Sequence, residues 1–221
     1  MMRKLTWAAI LSFLFLLLSF LNASQIVENA AEYSFSVEKL KTRLYDFSSN
    51  ASVDRWAYGY DNASLPPSQP DIPSIEFNSL QYFNVSYSDD VYQVDAGSNG
   101  EYACHRFVFT IYESNISKIN IFWRGAGICL LVWGGNYYIV PSRSGAKLYA
   151  WNYSSSHYDE IANTASYNVV NLSANLSLHY VGIDGKVILL VEQTSKTVLL
   201  WLFNLFSVIA TDYVSVEVEY V

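Results

Sequence analysis

Between Val170 and Tyr180 the chain alternates almost without fault. Val170, Leu172, Ala174, Leu176, Leu178 and Tyr180 fall on one side, and Asn171, Ser173, Asn175, Ser177 and His179 on the other. A period of two is that of a half-buried β-strand, with one face in the core and one in water, and it does not fit a helix. The same pattern recurs from about Tyr102 onward. His105, Phe107, Phe109 and Ile111 share a face opposite Cys104, Arg106, Val108 and Thr110, and the pattern resumes at Ile119, Ile121 and Trp123. The intervening Glu113-Ser114-Asn115 predicts a hairpin turn between these two strands. Lys147–Trp151 is a further strand, and Lys186–Val191 is apolar on both faces, as in a central strand. Val214, Val216, Val218 and Tyr220 alternate with Ser215, Glu217 and Glu219 to close the chain. Only Val37–Tyr45 offers a helical stripe, and there Lys39, Lys41 and Arg43 equally fit a solvated strand edge. An aromatic content of 16% favours strands over helices. The expectation is an all-β chain folded as an antiparallel β-sandwich.

Residues 1–24 stand apart. Arg3 and Lys4 precede an uncharged run from Leu5 to Leu21, followed by the small polar Asn22-Ala23-Ser24. This is the layout of an export signal. The same segment, if retained as an N-terminal anchor helix, sits at the lower limit for spanning about 30 Å of hydrocarbon, giving a membrane association through residues 5–21. Residues 25–42 then form an N-terminal extension and residues 43–221 the β-sandwich domain. With 13 basic and 20 acidic residues the net charge is −7, and loss of the leader removes two cations and no acid. Such a surface repels a phosphate backbone, so nucleic acid is not an expected partner.

Export has a second sign in the Asn-x-Ser sequons at Asn22, Asn50, Asn62, Asn84, Asn115, Asn152, Asn171 and Asn175. Roughly two or three would arise by chance at this composition, so the excess predicts N-glycosylation at the seven sites beyond the leader. Asn171 and Asn175 both fall on the wet face of their strand, roughly 13 Å apart. In an exported chain the two cysteines, Cys104 and Cys129, are candidates for a disulfide, against the alternative of two buried thiols. A bridge closing that loop would stabilise by roughly 3 kcal/mol.

Leu65-Pro66-Pro67-Ser68-Gln69-Pro70-Asp71-Ile72-Pro73 holds four of the five prolines and predicts an extended surface crossover within one domain. Aromatic, strand-like text lies on both sides, at Arg55–Tyr60 and at Gln81–Val85.

A set of short motifs carries a resemblance. They are Tyr45-Asp46-Phe47-Ser48-Ser49, Arg55-Trp56-Ala57-Tyr58, Pro66-Pro67, Ser88-Asp89-Asp90, His105-Arg106-Phe107-Val108-Phe109, Gly145-Ala146-Lys147-Leu148-Tyr149-Ala150-Trp151-Asn152 and Thr211-Asp212-Tyr213-Val214. Over about residues 43–221 the chain resembles a module of exported, mostly uncharacterised archaeal surface proteins. The resemblance implies a jelly-roll-like sandwich of the kind shared with carbohydrate-binding modules, and it brings no catalytic residues. Two stretches depart from that pattern. Ile128–Val140 is strongly apolar where a shorter polar link is expected, and Val198–Ala210 carries no charge, with Leu199, Leu200, Trp201, Leu202, Phe203, Leu205 and Phe206 nearly consecutive. The second stretch fits an extra buried strand or hairpin, an exposed patch at Trp201, Leu202, Phe203 and Phe206 for a partner or subunit, or a dip into a membrane interface.

Chemistry-bearing constellations are weak. His105, His157 and His179 are far apart in sequence and fit no metal or catalytic spacing. Gly125-Ala126-Gly127 lacks the strand-to-helix setting of a phosphate loop. Asp89, Asp90 and Asp95 are candidate oxygen ligands for calcium, against the simpler reading of a solvated acidic turn. Trp56, Tyr58 and Tyr60 share one side of a strand as a candidate sugar-stacking ladder, against the reading that they are core rings. The expected protein is therefore a non-enzymatic, cell-surface or secreted glycoprotein, a structural or interaction module of a cell envelope whose partners are other envelope proteins or polysaccharide. The alternatives are a carbohydrate-binding module and a subunit that self-assembles by strand addition through residues 32–37.

Overall fold

The alternating segments fold as strands, and in the computed structural model, which describes residues 39–70 and 75–221, they form two antiparallel sheets stacked as a sandwich. The leader, residues 25–38 of the extension with the alternating segment 32–37, and residues 71–73 of the proline-rich stretch lie outside the described residues. The first sheet contains β1 (Lys41–Tyr45), β4 (Gln93–Ala96), β6 (Ile116–Trp133), β7 (Asn136–Ile139), β10 (Val170–Leu176), β12 (Val198–Leu199) and β13 (Asn204–Tyr220). Its path is β1-β13-β6-β10, with β4 and β12 also on β13 and β7 on β6. The second sheet runs β3-β2-β5-β11-β8-β9, from β2 (Arg55–Asn62), β3 (Ile75–Glu76), β5 (Tyr102–Thr110), β8 (Ala146–Asn152), β9 (His157–Thr164) and β11 (Lys186–Gln193).

Alternation decides what each face buries. Phe107, Phe109, Val187, Leu189 and Val191 of the second sheet meet Ile119, Ile121, Trp123, Val214, Val216 and Val218 of the first in the main core. β11 lies between β5 and β8, and its intervening residues Ile188 and Leu190 join a separate apolar cluster on the outer face of the second sheet. Both faces of β11 are thus buried, as its sequence predicts. β10 is the edge strand whose Leu172 and Leu176 are buried while Asn171, Ser173 and Asn175 are exposed; the alternation stops there, since Leu178–Tyr180 form a 3-10 turn with Leu178 exposed. Lys41 and Arg43 are exposed on the edge strand β1, in line with the solvated-edge reading.

Three sequence expectations are corrected. The predicted hairpin across Glu113-Ser114-Asn115 does not form: β5 pairs with β2 and β11, whereas β6 pairs with β13, β10 and β7, so these residues arch from one sheet to the other. β5 has β2 on one edge and β11 on the other, so neither edge is open to β6. Gln81–Val85 is not a strand. Ser79–Asn84 form a short helix, α1, because the Asn78 side chain accepts from the Leu80 and Gln81 N–H groups while Gln81 Oε1 accepts from the Asn78 N–H, a reciprocal cap that outweighs the aromatic strand propensity. Third, Ile128–Val140 and Val198–Ala210 are neither separate nor fully buried, as described below.

β6 is 18 residues long, twice the 9 residues of β5, so the second sheet cannot cover the β6–β13 pair along its whole length. Where cover ends, Gly127 and Gly145 of the two layers touch, and the Gly145 N–H donates to the Gly127 carbonyl at 2.9 Å. A Cβ at Gly127 would stand 2.0 Å from the Gly145 oxygen, which makes this glycine a requirement of the close approach. The same residue with Gly125 lies inside a strand, so the Gly125-Ala126-Gly127 run is sheet and not a phosphate loop.

Candidate functional site

Beyond that contact the first sheet continues alone. Val132 pairs with Asn204, Leu131 with Leu205 and Leu130 with Phe206, while β7 adds Tyr138 opposite Leu131 and β12 adds Val198 opposite Leu205. The two apolar stretches of the sequence are therefore one object, a four-stranded blade in the order β12-β13-β6-β7. Facing residues of paired strands share a side, so Leu131, Tyr138, Leu205 and Val198 line one face and Leu130, Ile139 and Phe206 the other. The β6–β7 tip turns through Gly134 and Gly135, both with positive φ, the conformation that two-residue hairpins require. Trp201 is 93% exposed, Tyr137 70% and Trp133 61%, and Leu202 is exposed while Phe203 and Phe206 are half-buried. Within Val198–Ala210 a hairpin forms that is buried at its base, at Ser207, Ile209 and Ala210, half-buried at Leu205 and Phe206, and exposed at Leu199–Leu202.

The sugar-stacking ladder is displaced. Trp56, Tyr58 and Tyr60 do share a face, but it is the outer face of the second sheet, where they pack with Cys104, Val108, Tyr149, Trp151, Tyr158, Ile188 and Leu190. Tyr60 is buried, Trp56 and Tyr58 are half-buried, and the Arg106 guanidinium lies 4.5 Å from the Tyr58 ring centre. Leu65 of the proline-rich segment packs on this cluster and the Pro70 carbonyl accepts from Arg106 at 2.6 Å, so the crossover covers the rings. Tyr60 is thus buried in this outer cluster, and Trp56 and Tyr58 pack against it partly buried. Beneath them the fully buried Glu192 accepts from the Cys104 thiol at 3.2 Å. Burial pushes its carboxyl up to about 7, with Cys104, Asn62 and Lys147 opposing the rise.

The disulfide is also corrected. Cys104 and Cys129 are free, buried thiols. Cys104 belongs to the outer cluster, whereas Cys129 pairs with Ser207, whose hydroxyl reaches inward to the Ala103 N–H and to Gln193. The second sheet therefore lies between the two sulfurs. Burial, and then Glu192, push the Cys104 thiol well above its ordinary range.

The candidate calcium ligands are drawn apart. A bulge lies between Thr211 and Tyr213, and the buried Asp212 carboxylate there accepts from Arg124 and from the N–H groups of Asp89 and Asp90. Asp90 accepts from the same guanidinium at 2.6 Å, and Arg124 with Tyr92 holds its carboxyl below the usual range. Asp95 turns to His105 instead, and among the described residues no three metal-ligating side chains converge.

His105 lies within β5. It is fully buried, with Nδ1 2.8 Å from Thr211 Oγ1 and Nε2 2.8 Å from Asp95 Oδ2, and Trp123 Nε1 donates to the same Thr211 hydroxyl at 3.0 Å. The order Asp-His-Thr has the form of a nucleophilic triad. Thr211 and His105 are both inaccessible, however, so this chain of bonds joins the two layers rather than presenting a nucleophile to a substrate. Of the sequon asparagines, Asn50, Asn115, Asn171 and Asn175 are exposed, and Asn62, Asn84 and Asn152 are half-buried.

A cleft of about 430 Å³ lies between α1 and the turn after β1, where Phe47, Phe77, Tyr82 and Phe83 stand beside Ser48 and Ser52. Nothing in the sequence marks it, because the helix that forms one wall reads as strand.

Residues 52–220 match the family model AF_1625_C, described as "Uncharacterized protein, C-terminal domain". No curated protein matches the chain.

Proposed function

Because the chain belongs to the AF_1625_C family of C-terminal domains, we propose that it is a non-catalytic, exported and N-glycosylated module of a cell envelope, jelly-roll-like in architecture, that acts by surface contact. The observation that carries this reading is the blade. Trp133, Tyr137, Tyr138, Ile139, Leu199, Leu200, Trp201 and Leu202 are all exposed on it, in a chain with 20 acidic and 13 basic residues elsewhere to keep its surface wet. A contiguous apolar patch of this kind marks an interaction surface. The leader-like residues 1–24 and the exposed sequons at Asn115, Asn171 and Asn175 support an extracellular setting.

Cell fractionation combined with intact mass and peptide mapping of the native protein tests the reading. The expected result is recovery with the envelope or the medium and sugar mass on exposed asparagines. Recovery in the cytosol as the unmodified polypeptide would overturn it.

A second reading, polysaccharide binding, is favoured by the cleft beside α1, whose rings and serine hydroxyls offer stacking and hydrogen bonding together. Phe83 is 55% exposed there. Phe83→Ala is expected to weaken retention on a polysaccharide column without changing the unfolding midpoint, and unchanged retention removes this reading.

A further inference from the structure

We propose that the sugar taken by the cleft beside α1 carries a protonated amino group, an inference that rests on the polysaccharide reading above and narrows it to glycans with unacetylated hexosamine units. The hydroxyl hydrogens of the cleft set what it offers a ligand. Ser48 Oγ donates to Asp46 Oδ1 at 2.5 Å, Ser86 Oγ to the Tyr82 carbonyl at 2.6 Å and Ser52 Oγ to Glu76 Oε1. Each partner is a carboxylate or a carbonyl, which only accepts, so the direction of all three bonds is fixed. These three serines therefore turn lone pairs, and no hydrogen, toward a ligand. Tyr82 likewise donates to Glu76 Oε1 at 3.0 Å and accepts from the Ala57 N–H at 3.1 Å. Among the described residues, the lining hydroxyls left to donate are those of Ser79 and Tyr87, both exposed. A wall of acceptors suits a ligand with surplus hydrogens, and an ammonium group has three and accepts none.

Charge points the same way. Among the described residues no Lys, Arg or His lines the cleft. Glu76 stands one hydrogen bond behind it through Ser52 and Tyr82, and Asp46 one bond behind it through Ser48. Both bonds to Glu76 fall on Oε1, so its Oε2 can take a further donor. The neighbouring Arg55 is buried, paired with Asp54 at 3.0 Å, and its Nη1 donates to the Asp46 carbonyl. A uronate or sulfated sugar would thus meet acids here and no available counter-ion, whereas a cationic sugar meets charge of the opposite sign.

The rings serve both halves of such a ligand. Phe47 and Tyr82 have centres 5.4 Å apart, Phe77 lies 6.1 Å from Tyr82, and Phe83 lies 6.1 Å from Tyr87. An aromatic face carries negative charge density that attracts an ammonium group, and its apolar surface stacks on the C–H side of a sugar ring. The volume of about 430 Å³ is at the lower end of the roughly 300–1,000 Å³ of small-molecule sites, which suits the end of a glycan more than a long run of it.

The test is titration calorimetry of the full chain at about pH 6, below the ordinary amine range, with a glucosamine trimer, its N-acetylated counterpart, maltotriose and a galacturonate trimer. The glucosamine trimer is expected to bind about tenfold more tightly than the N-acetylated and neutral trimers, with galacturonate the weakest. Phe83→Ala should weaken the glucosamine and N-acetylated trimers alike. Glu76→Gln should remove the tenfold preference and leave the N-acetylated trimer unaffected. Glu160→Gln makes the same change of net charge on β9, at the opposite edge of the second sheet from β2 and β3, and is expected to alter nothing. Equal affinity for the glucosamine and N-acetylated trimers overturns the inference and leaves the polysaccharide reading standing. A drop with Glu160→Gln as large as with Glu76→Gln overturns it in favour of bulk charge, and tetramethylammonium binding as tight as the glucosamine trimer overturns it in favour of a free organic cation. A glucosamine trimer that does not bind, to protein still retained on a neutral polysaccharide column, overturns the inference alone; loss of both removes the polysaccharide reading with it.

Discussion

His105 Nε2 lies 2.8 Å from Asp95 Oδ2 in the interior, and through Thr211 on its other nitrogen the ring ties β4 and β5 to β13. Burial alone would raise the Asp95 carboxyl, but the hydrogen bond and charge of His105, with the Gln93 amide, leave it below the usual range. The folded state then binds fewer protons than the unfolded one as the pH falls. The resulting stability is fully present above about pH 4, the unfolded value, and is lost as the pH drops through the depressed folded value. Asp95→Ala is expected to cost about 1–3 kcal/mol at neutral pH by stranding His105 Nε2. Asp95→Asn should lose less stability than the wild type between neutral pH and about pH 3, measured by denaturant midpoints. Equal losses in the two proteins would refute the role given to this pair.

Glu192 has the opposite sign. With the folded carboxyl at about 7 and the unfolded one near 4.3, folding takes up a proton between these values. Stability contributed by the neutral acid falls as the pH rises from about 4 to about 7 and is flat above, a total of about 4 kcal/mol. Glu192→Gln, neutral at every pH, is expected to flatten that slope and to exceed the wild type in stability at about pH 8. A wild-type midpoint that rises over this range, and that the substitution leaves unaltered, would contradict the assignment.

Two separated thiols make a redox prediction. Reductant is expected to leave the unfolding midpoint unchanged, and alkylation is expected to modify neither cysteine in the native protein and both after unfolding, without prior reduction. A midpoint that drops on reduction would show that the bridge forms after all.

The sequons are expected to differ in occupancy. Asn115, Asn171 and Asn175 are exposed, whereas the Asn62 amide donates to the Ser64 carbonyl, Asn152 to Asp159 at 2.8 Å and Asn84 weakly to the Tyr92 carbonyl at 3.5 Å. Peptide mapping should find the first three carrying sugar ahead of the other three. Sugar on Asn152 with Asn171 bare would reverse this order and its structural reason.

Strand identity and facing were legible in the residues themselves. The period of two assigned Leu172 and Leu176 to the core and Asn171 and Asn175 to water, and marked Lys186–Val191 as doubly buried, because facing depends only on the local pleat. The excess apolar surface of Ile128–Val140 and Val198–Ala210 was visible as composition. α1 was legible in principle through Asn78 and Gln81 at capping-box spacing, but the aromatic residues Phe77, Tyr82 and Phe83 on either side obscured it.

Pairing could not be read in the same way. A strand face says what is apolar, not which distant strand meets it, since each pair is stabilised by contacts across the whole chain and must compete with other partners for the same edge. Only the assembled sheets placed Cys104 and Cys129 on opposite sides of a layer and sent β5 and β6 to different sheets. They also brought Asp95 and Thr211 onto the two nitrogens of His105, with Thr211 106 residues away from it in the chain. The same assembly joined two unrelated-looking apolar stretches edge to edge and, among the described residues, left their outer ends exposed, because β6 and β13 outrun the strands that face them.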